Sequence, residues 1–142
     1  MAHQTESWRR QVVYSGRTHA VIVAETKGYG LTGLASLGPA RDRGLERYTG
    51  EVYALYVDPN YMGNGIGSAL LRAAFRLLAE RGFGGAVIWA LQGNNARYFY
   101  EAQGGKEIAM RQGRLWGSRI QEVAFGWDSL AATLGGTPAK RG

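Results

Sequence analysis

Short apolar segments separated by glycine and proline define the first half of the chain. Residues 21–25 and 31–37 form two mainly apolar runs, and the turn-forming stretch Lys-Gly-Tyr-Gly at 27–30 lies between them. This pattern predicts an antiparallel hairpin. A third strand is predicted over residues 51–57, where β-branched and aromatic residues predominate before Asp-Pro-Asn stops the strand.

The second half alternates between helical and extended patterns. Residues 69–81 predict a helix, because apolar side chains recur at three- and four-residue spacing on one face. A second helix is predicted over 96–103, and strands over 86–91, 106–110 and 121–127. The predicted order is β-β-β-α-β-α-β-β, an α/β (α+β) fold with a largely antiparallel start.

Both ends of the chain are predicted to lie outside this unit. Residues 1–18 are predicted to form an N-terminal tail with one short helix around 7–14, and residues 129–142 a C-terminal tail. The domain itself is therefore predicted to span residues 19–128.

Composition narrows the available chemistry. With 142 residues, 45% hydrophobic and 20% charged, the chain is typical of one globular domain. It has no cysteine and only two histidines, His3 and His19. Thiolate chemistry is therefore excluded, and we expect no metal site and no Ser-His-Asp triad. No apolar run is long enough to span a membrane and no secretory signal is visible, so a cytoplasmic location is expected.

Three alternating glycines precede the first predicted helix. Gly63, Gly65 and Gly67 bring backbone amides close to the positive end of the helix dipole, and Ser68 adds a hydroxyl. Such an arrangement suits a phosphate or a diphosphate, although a glycine turn needed only for packing is the alternative. A Walker loop is excluded because Lys-Ser/Thr is missing at the helix start. A dinucleotide-binding fold is excluded because the third glycine and the acidic residue after the next strand are missing.

Two motifs, in the same order and spacing, resemble the signatures of the GNAT superfamily of N-acetyltransferases. One is the stretch 51–71, in which Met-Gly-Asn-Gly-Ile-Gly follows a strand, and the other is the stretch 94–104, which contains Asn-Asn-Ala-Arg-Tyr-Phe-Tyr-Glu. The resemblance covers about residues 19–128. It implies a GNAT-like, mostly antiparallel mixed sheet flanked by helices, with acetyl-CoA as co-substrate.

The resemblance also implies which residues bind acetyl-CoA. The strand residues Leu55, Tyr56 and Val57 are expected to pair through their backbone with the pantetheine arm. Asn94 or Asn95 is expected to hydrogen-bond that arm, and the doublet leaves the choice open. The diphosphate is expected to be held by the amides of Gly63, Asn64, Gly65, Ile66, Gly67 and Ser68.

For catalysis, the resemblance makes Tyr100 the acid that protonates the departing thiolate. Glu51, at the start of its strand, is the first choice as base; a salt-bridged edge residue is the alternative, and Glu122 is the reserve. Positioning of the reactants without a base is a further alternative.

Two departures from the family pattern stand out. Met62 occupies a position where the family has Gln or Arg. The stretch before His19 is also short, so the first strand and helix of the family are expected to be absent or reduced, with an open acceptor site or one completed in a homodimer.

The expected acceptor is a primary amine of a small molecule, peptide or protein. A non-catalytic CoA-binding module of the same fold is the main alternative. The net charge of +6 also suggests a nucleic-acid-binding domain, but lysine and arginine do not cluster, so we expect neither a nucleic-acid nor a membrane partner.

Overall fold

A computed structural model describes residues 8–15, 18–42, 44–63 and 65–135 of the chain. Within these residues the chain forms one seven-stranded mixed sheet, in the order β1-β2-β3-β4-β5-β7-β6. The strands are β1 Trp8–Ser15, β2 Ala20–Thr26, β3 Gly30–Pro39, β4 Gly50–Val57, β5 Ala86–Leu91, β6 Lys106–Leu115 and β7 Ser118–Trp127. Three α-helices accompany them: α1 Ile66–Glu80, α2 Ala96–Ala102 and α3 Leu130–Gly135. The predicted GNAT-like mixed fold is thereby confirmed.

The N-terminal region differs from its prediction. A strand, β1, replaces the helix predicted around residues 7–14, and it pairs antiparallel with β2 from Trp8–Thr26 to Ser15–Ala20. The expectation that the first strand is absent or reduced is therefore wrong. Four residues, 16–19, lie between the end of β1 and the start of β2.

The C-terminal region also departs from the predicted tail. Leu130 is fully buried at the start of α3, whose side chains pack against α1. Residues 136–142 lie outside the described part of the chain.

The helices and the sheet enclose one apolar core. Helix α1 contributes its predicted apolar stripe, and β7 contributes Phe125 and Trp127, each 2% exposed. Phe75 of α1 lies against Trp127 at a ring-centroid distance of 4.8 Å. Burial of an aromatic side chain of this size contributes about 1.5–3 kcal/mol, so this contact helps fix α1 against the sheet.

Two irregularities of β4 shape the middle of the sheet. The register with β3 shifts between Ser36 and Leu37, which pair with Ala54 and Val52, so Tyr53 is the extra residue of a bulge. A bulge reverses the alternation of side chains along a strand. Leu55 and Val57 consequently pack against the same core as Val52.

The second irregularity is the pairing of β4 with β5. These two parallel strands are paired only at Gly50–Ala86 and Glu51–Val87. Beyond these pairs β4 continues along β3, and β5 continues along β7 to the Leu91–Glu122 pair. Among the described strands, none pairs with the β5-facing edge of β4 from Val52 onward. The sheet thus opens into a wedge.

Candidate active site

A cleft of about 600 Å³ opens in the wedge between β4, the start of α1 and the inward face of α2. Its walls combine apolar side chains, glycines and neutral polar groups, and no charged side chain lines it within the described part of the chain. The lining residues are Leu55, Val57, Tyr61, Met62, Gly63, Gly65, Gly67, Ser68, Asn94, Asn95, Ala96, Phe99, Tyr100 and Gln103.

The start of α1 supplies donors to this cleft. Gly65 is the N-cap and has φ 85°, a left-handed conformation that favours glycine. The first helical hydrogen bond runs from the Ala69 amide to the Gly65 carbonyl at 3.1 Å. The three amides at 66–68 therefore precede the helical hydrogen-bond ladder and can bind an anion.

The helix begins earlier than the sequence suggested. It was predicted from residue 69, but it starts at Ile66, so Gly67 and Ser68 lie in its first turn rather than in a loop. Ile66 is 3% exposed, and its burial in the core outweighs the low helix propensity of the glycine that follows. Asn64, also predicted to bind the diphosphate, lies outside the described residues.

The space around Gly67 shows whether a ligand can approach the start of α1. A Cβ atom at Gly67 would lie 3.5 Å from the Phe99 ring and 3.6 Å from a Val57 methyl group. The backbone of α1 therefore faces the cleft between two side chains without a side chain of its own. A diphosphate can approach the amides directly at such a position.

The two asparagines stand at the start of α2. The Asn94 side-chain oxygen accepts a hydrogen bond from the Ala96 amide at 2.7 Å, so this carboxamide already serves the helix start. Asn95 is the N-cap and makes no side-chain cap bond. Both line the cleft, and the choice between them remains a prediction.

Tyr100 lies on the floor of the cleft. Its side chain is only 7% exposed and contacts the rings of Phe99, Phe125 and Trp127. Burial raises the pKa of the Tyr100 phenol above its usual value of 10.0. In the described part of the chain no group hydrogen-bonds the hydroxyl, which leaves a protonated phenol facing the cleft.

Glu51 has a different environment. Its side chain is 1% exposed and does not line the cleft. Both carboxylate oxygens accept hydrogen bonds from Arg41: one from the backbone amide at 3.0 Å, the other from Nη2 at 2.8 Å. The guanidinium also lies 4.6 Å from the Tyr53 ring centroid, and the carboxylate raises the pKa of Arg41. We call Arg41 and Glu51 the clamp.

The reserve candidate is held in a similar way. Glu122 accepts a hydrogen bond from Arg111 Nε at 2.8 Å, and Arg111 lies 3.8 Å from the centroid of the Trp89 ring. A role as base for either carboxylate stays a prediction; Arg41 hydrogen-bonds both oxygens of Glu51, whereas Arg111 hydrogen-bonds only one oxygen of Glu122.

Several cleft residues were not assigned from the sequence. Phe99 was interpreted as core, and Tyr61 and Gln103 were assigned no role, yet all three line the cleft. The sequence spacing could have indicated the residues of α2 and its C-cap. Ala96, Phe99 and Gln103 have the i, i+3, i+7 spacing that places residues on one helix face. Met62 lines the cleft with 66% of its surface exposed, where the family pattern has Gln or Arg.

The described residues show neither a metal-ligand cluster nor a membrane-spanning helix. They contain no cluster of His, Asp or Glu side chains arranged to hold a metal ion. None of their helices has both the length and the hydrophobicity needed to cross a bilayer.

Comparison with known proteins identifies the family of this chain. Residues 2–104 match the acetyltransferase (GNAT) family model, and the chain belongs to this family. The resemblance inferred from the sequence motifs is thereby confirmed.

A relative and two solved structures give the extent of the similarity. The uncharacterized N-acetyltransferase YuaI of Bacillus subtilis (strain 168) is 34% identical over 112 residues, and these cover 79% of this chain and 64% of YuaI. The chain thus spans 64% of the length of that relative. The ribosomal-protein-alanine N-acetyltransferase of Brucella melitensis is 27% identical, with TM-score 0.64, over 77% of this chain and 68% of that one.

An IAA acetyltransferase from Bacillus cereus ATCC 14579 has TM-score 0.66 over 84% of this chain and 98% of its own. At 15% identity, this match concerns the fold alone.

Proposed function

We propose that this chain is an acetyl-CoA-dependent N-acetyltransferase acting on a primary amine of a small molecule, peptide or protein. The observation that carries the proposal is the wedge itself. The pairing of β4 with β5 ends after Glu51, and residues of β4, of the glycine-rich start of α1 and Tyr100 of α2 line one cleft. Family membership supports the same activity.

Each part of the cleft has a role in this proposal. The backbone of Leu55, Tyr56 and Val57 pairs with the pantetheine arm as an additional strand would. The amides of residues 63–68 hold the diphosphate, and one of the two asparagines, Asn94 or Asn95, hydrogen-bonds the arm. None of the described residues that line the cleft is charged, so the helix dipole and neutral donors supply the attraction for the anion.

Acetyl-CoA supplies an activated thioester, whose carbonyl carbon is attacked by the acceptor amine. As the C–N bond forms and the C–S bond breaks, Tyr100 donates its phenolic proton to the sulfur. The proton lost by the amine returns to the phenolate through solvent. The raised pKa of Tyr100 keeps the phenol protonated at neutral pH, as a general acid requires.

In this proposal the cleft accelerates the attack of the amine chiefly by holding it next to the thioester. Glu51 accepts three hydrogen bonds from Arg41, including a longer one of 3.5 Å from Nε, and in that arrangement we assign it no proton transfer. Bringing two reactants together in one cleft can by itself supply a large part of the rate acceleration.

Thiol release tests the activity. Acetyl-CoA is incubated with panels of small amines, polyamines, aminoglycosides and peptides, including a peptide with N-terminal alanine because of the name of the Brucella relative. We expect release of CoA thiol with at least one acceptor, and mass spectrometry should show an acetylated amine.

Because Arg41 occupies the carboxylate of Glu51, the clamp favours one competing function, a non-catalytic CoA-binding module. A module of this kind binds CoA in calorimetry but releases no thiol with any acceptor, and replacing Tyr100 with Phe leaves its binding unchanged. Absence of CoA binding altogether would contradict both proposals.

A further inference from the structure

One side-chain hydrogen bond crosses the cleft between its two helices. Gln103, the C-cap of α2, donates from Nε2 to Ser68 Oγ in the first turn of α1 at 2.7 Å. Both residues line the cleft. This bond joins the helix that presents the backbone amides to the helix that carries Tyr100.

The backbone of Gln103 is itself firmly held. Its amide donates to the carbonyls of Phe99 and Tyr100 at 3.0 and 3.1 Å, and its carbonyl accepts a hydrogen bond from Trp127 Nε1 at 3.0 Å. Trp127 is 2% exposed. The side chain of Gln103 therefore starts from a position fixed by the core.

The bond has a consequence for the Ser68 proton. A serine hydroxyl has one proton to donate and lone pairs to accept, and the amide of Gln103 occupies an acceptor site. The proton stays available, and it must point away from the Gln103 amide. Gly67 and Tyr100 line the same cleft as Ser68, and Tyr100 as a residue is only 7% exposed.

We propose that Gln103 is a positioning residue that orients the Ser68 hydroxyl as an additional donor to the diphosphate of CoA. This inference rests on the proposed function. Because the lining formed by the described residues carries no charge, each neutral donor carries a larger share of the binding, and hydrogen bonds to charged groups are the stronger ones. Gln103 acts through Ser68 and need not touch the cofactor.

The experiment measures binding, without turnover, for CoA and for pantetheine, which lacks the diphosphate. Dissociation constants come from calorimetry for CoA and from NMR titration for pantetheine. The variants are Ser68→Ala, Gln103→Leu, Gln103→Met and the double variant Ser68→Ala/Gln103→Leu. Gln112→Leu, an exposed glutamine on β6, is the matched control.

We expect Ser68→Ala to weaken CoA binding about tenfold and either Gln103 variant about fivefold. The double variant should be no more than twofold weaker than Ser68→Ala, because Gln103 acts through the serine. Pantetheine binding should change less than twofold in every variant, and Gln112→Leu should bind both ligands like the wild type.

Three outcomes would overturn the inference while the proposed function stands. They are CoA binding within twofold of wild type in both Gln103 variants, additive losses in the double variant, or equal losses for pantetheine and CoA. The last would mean a merely structural role. A wild-type protein that binds no CoA would instead remove the proposed function, and the inference with it.

Discussion

The cleft and the clamp lie at opposite ends of β4, and their polar groups are in opposite states. In the cleft, the amides at the start of α1 and the Tyr100 hydroxyl lack partners among the described residues, although Tyr100 is 7% exposed. In the clamp, the Glu51 carboxylate is 1% exposed and accepts three hydrogen bonds from Arg41.

This difference indicates that the cleft serves ligand binding and the clamp serves stability. Buried polar groups are normally hydrogen-bonded, so those without a partner are candidates to bind a ligand. Satisfied groups hold the fold together. We therefore expect changes in the clamp to affect mainly unfolding and changes in the cleft to affect mainly binding and turnover.

The largest effect is expected in the clamp. Arg41→Leu leaves the buried Glu51 carboxylate with one backbone donor, and the free energy of unfolding should fall by about 3 kcal/mol in chemical denaturation. Arg47→Leu is the control: its exposed ion pair with Asp128 spans 3.6 Å, and its loss should change the free energy of unfolding much less than Arg41→Leu does. An equal fall in the free energy of unfolding in the two variants would show that the clamp stabilises the fold no more than an exposed ion pair does.

The next effect is on turnover. Tyr100→Phe should lower kcat about 100-fold, equivalent to about 2.7 kcal/mol, because a proton donor is lost. The Kd of acetyl-CoA should stay the same, since the ring remains. Tyr98→Phe, an exposed tyrosine on the same helix, serves as control.

The raised pKa of Tyr100 also predicts how the rate of the wild type depends on pH. An acid works below its pKa, and the Tyr100 pKa lies above its ordinary value of 10.0. The rate of the wild type should therefore show no fall that depends on Tyr100 between pH 7 and about 9.5. A descending limb near pH 8 that disappears in Tyr100→Phe would contradict the assignment.

Gly67→Ala should separate binding from folding. The added Cβ meets neighbours only at ordinary contact distances, so stability should stay the same or rise by up to about 1 kcal/mol. The methyl group would lie between Phe99 and Val57, beside the amides that we propose bind the diphosphate, and CoA binding should weaken about tenfold. Gly84→Ala, in open space, is the control in calorimetry. Unchanged CoA binding would place the diphosphate elsewhere.

The smallest effect tests Glu51 as a base. Glu51→Gln should reduce the free energy of unfolding by about 1 kcal/mol, because one acceptor oxygen is lost. We expect kcat to stay within about threefold of wild type and its pH profile to keep its ascending limb. A 30-fold lower kcat without that limb would instead establish Glu51 as the base.

Most regular elements could be predicted from the sequence because their signals are local. The β2–β3 hairpin, β5 and α2 were found within one or two residues at each end, since glycine, proline and asparagine mark their limits. The β6–β7 hairpin is longer than predicted: its strands meet at Trp116, which has φ 52°, and Gly117. A bulky residue in that conformation is uncommon, so the pattern did not indicate a turn.

The misassignments share a physical cause. Strand β1 exists through its pairing with β2, and the beginning of α1 depends on the burial of Ile66. Neither effect can be seen within a short window of sequence. The clamp likewise joins residues ten positions apart through a loop whose path is not encoded in any periodicity.

The sequence by itself determined the family, the order of most elements and the two motifs that line the cleft, because spacing along a chain fixes which residues share a helix face or a strand end. Only the tertiary structure decided that β4 and β5 separate after two residue pairs, that Glu51 is held by Arg41, and that Gln103 reaches Ser68. These features depend on contacts between distant segments, whose geometry arises only when the whole core packs.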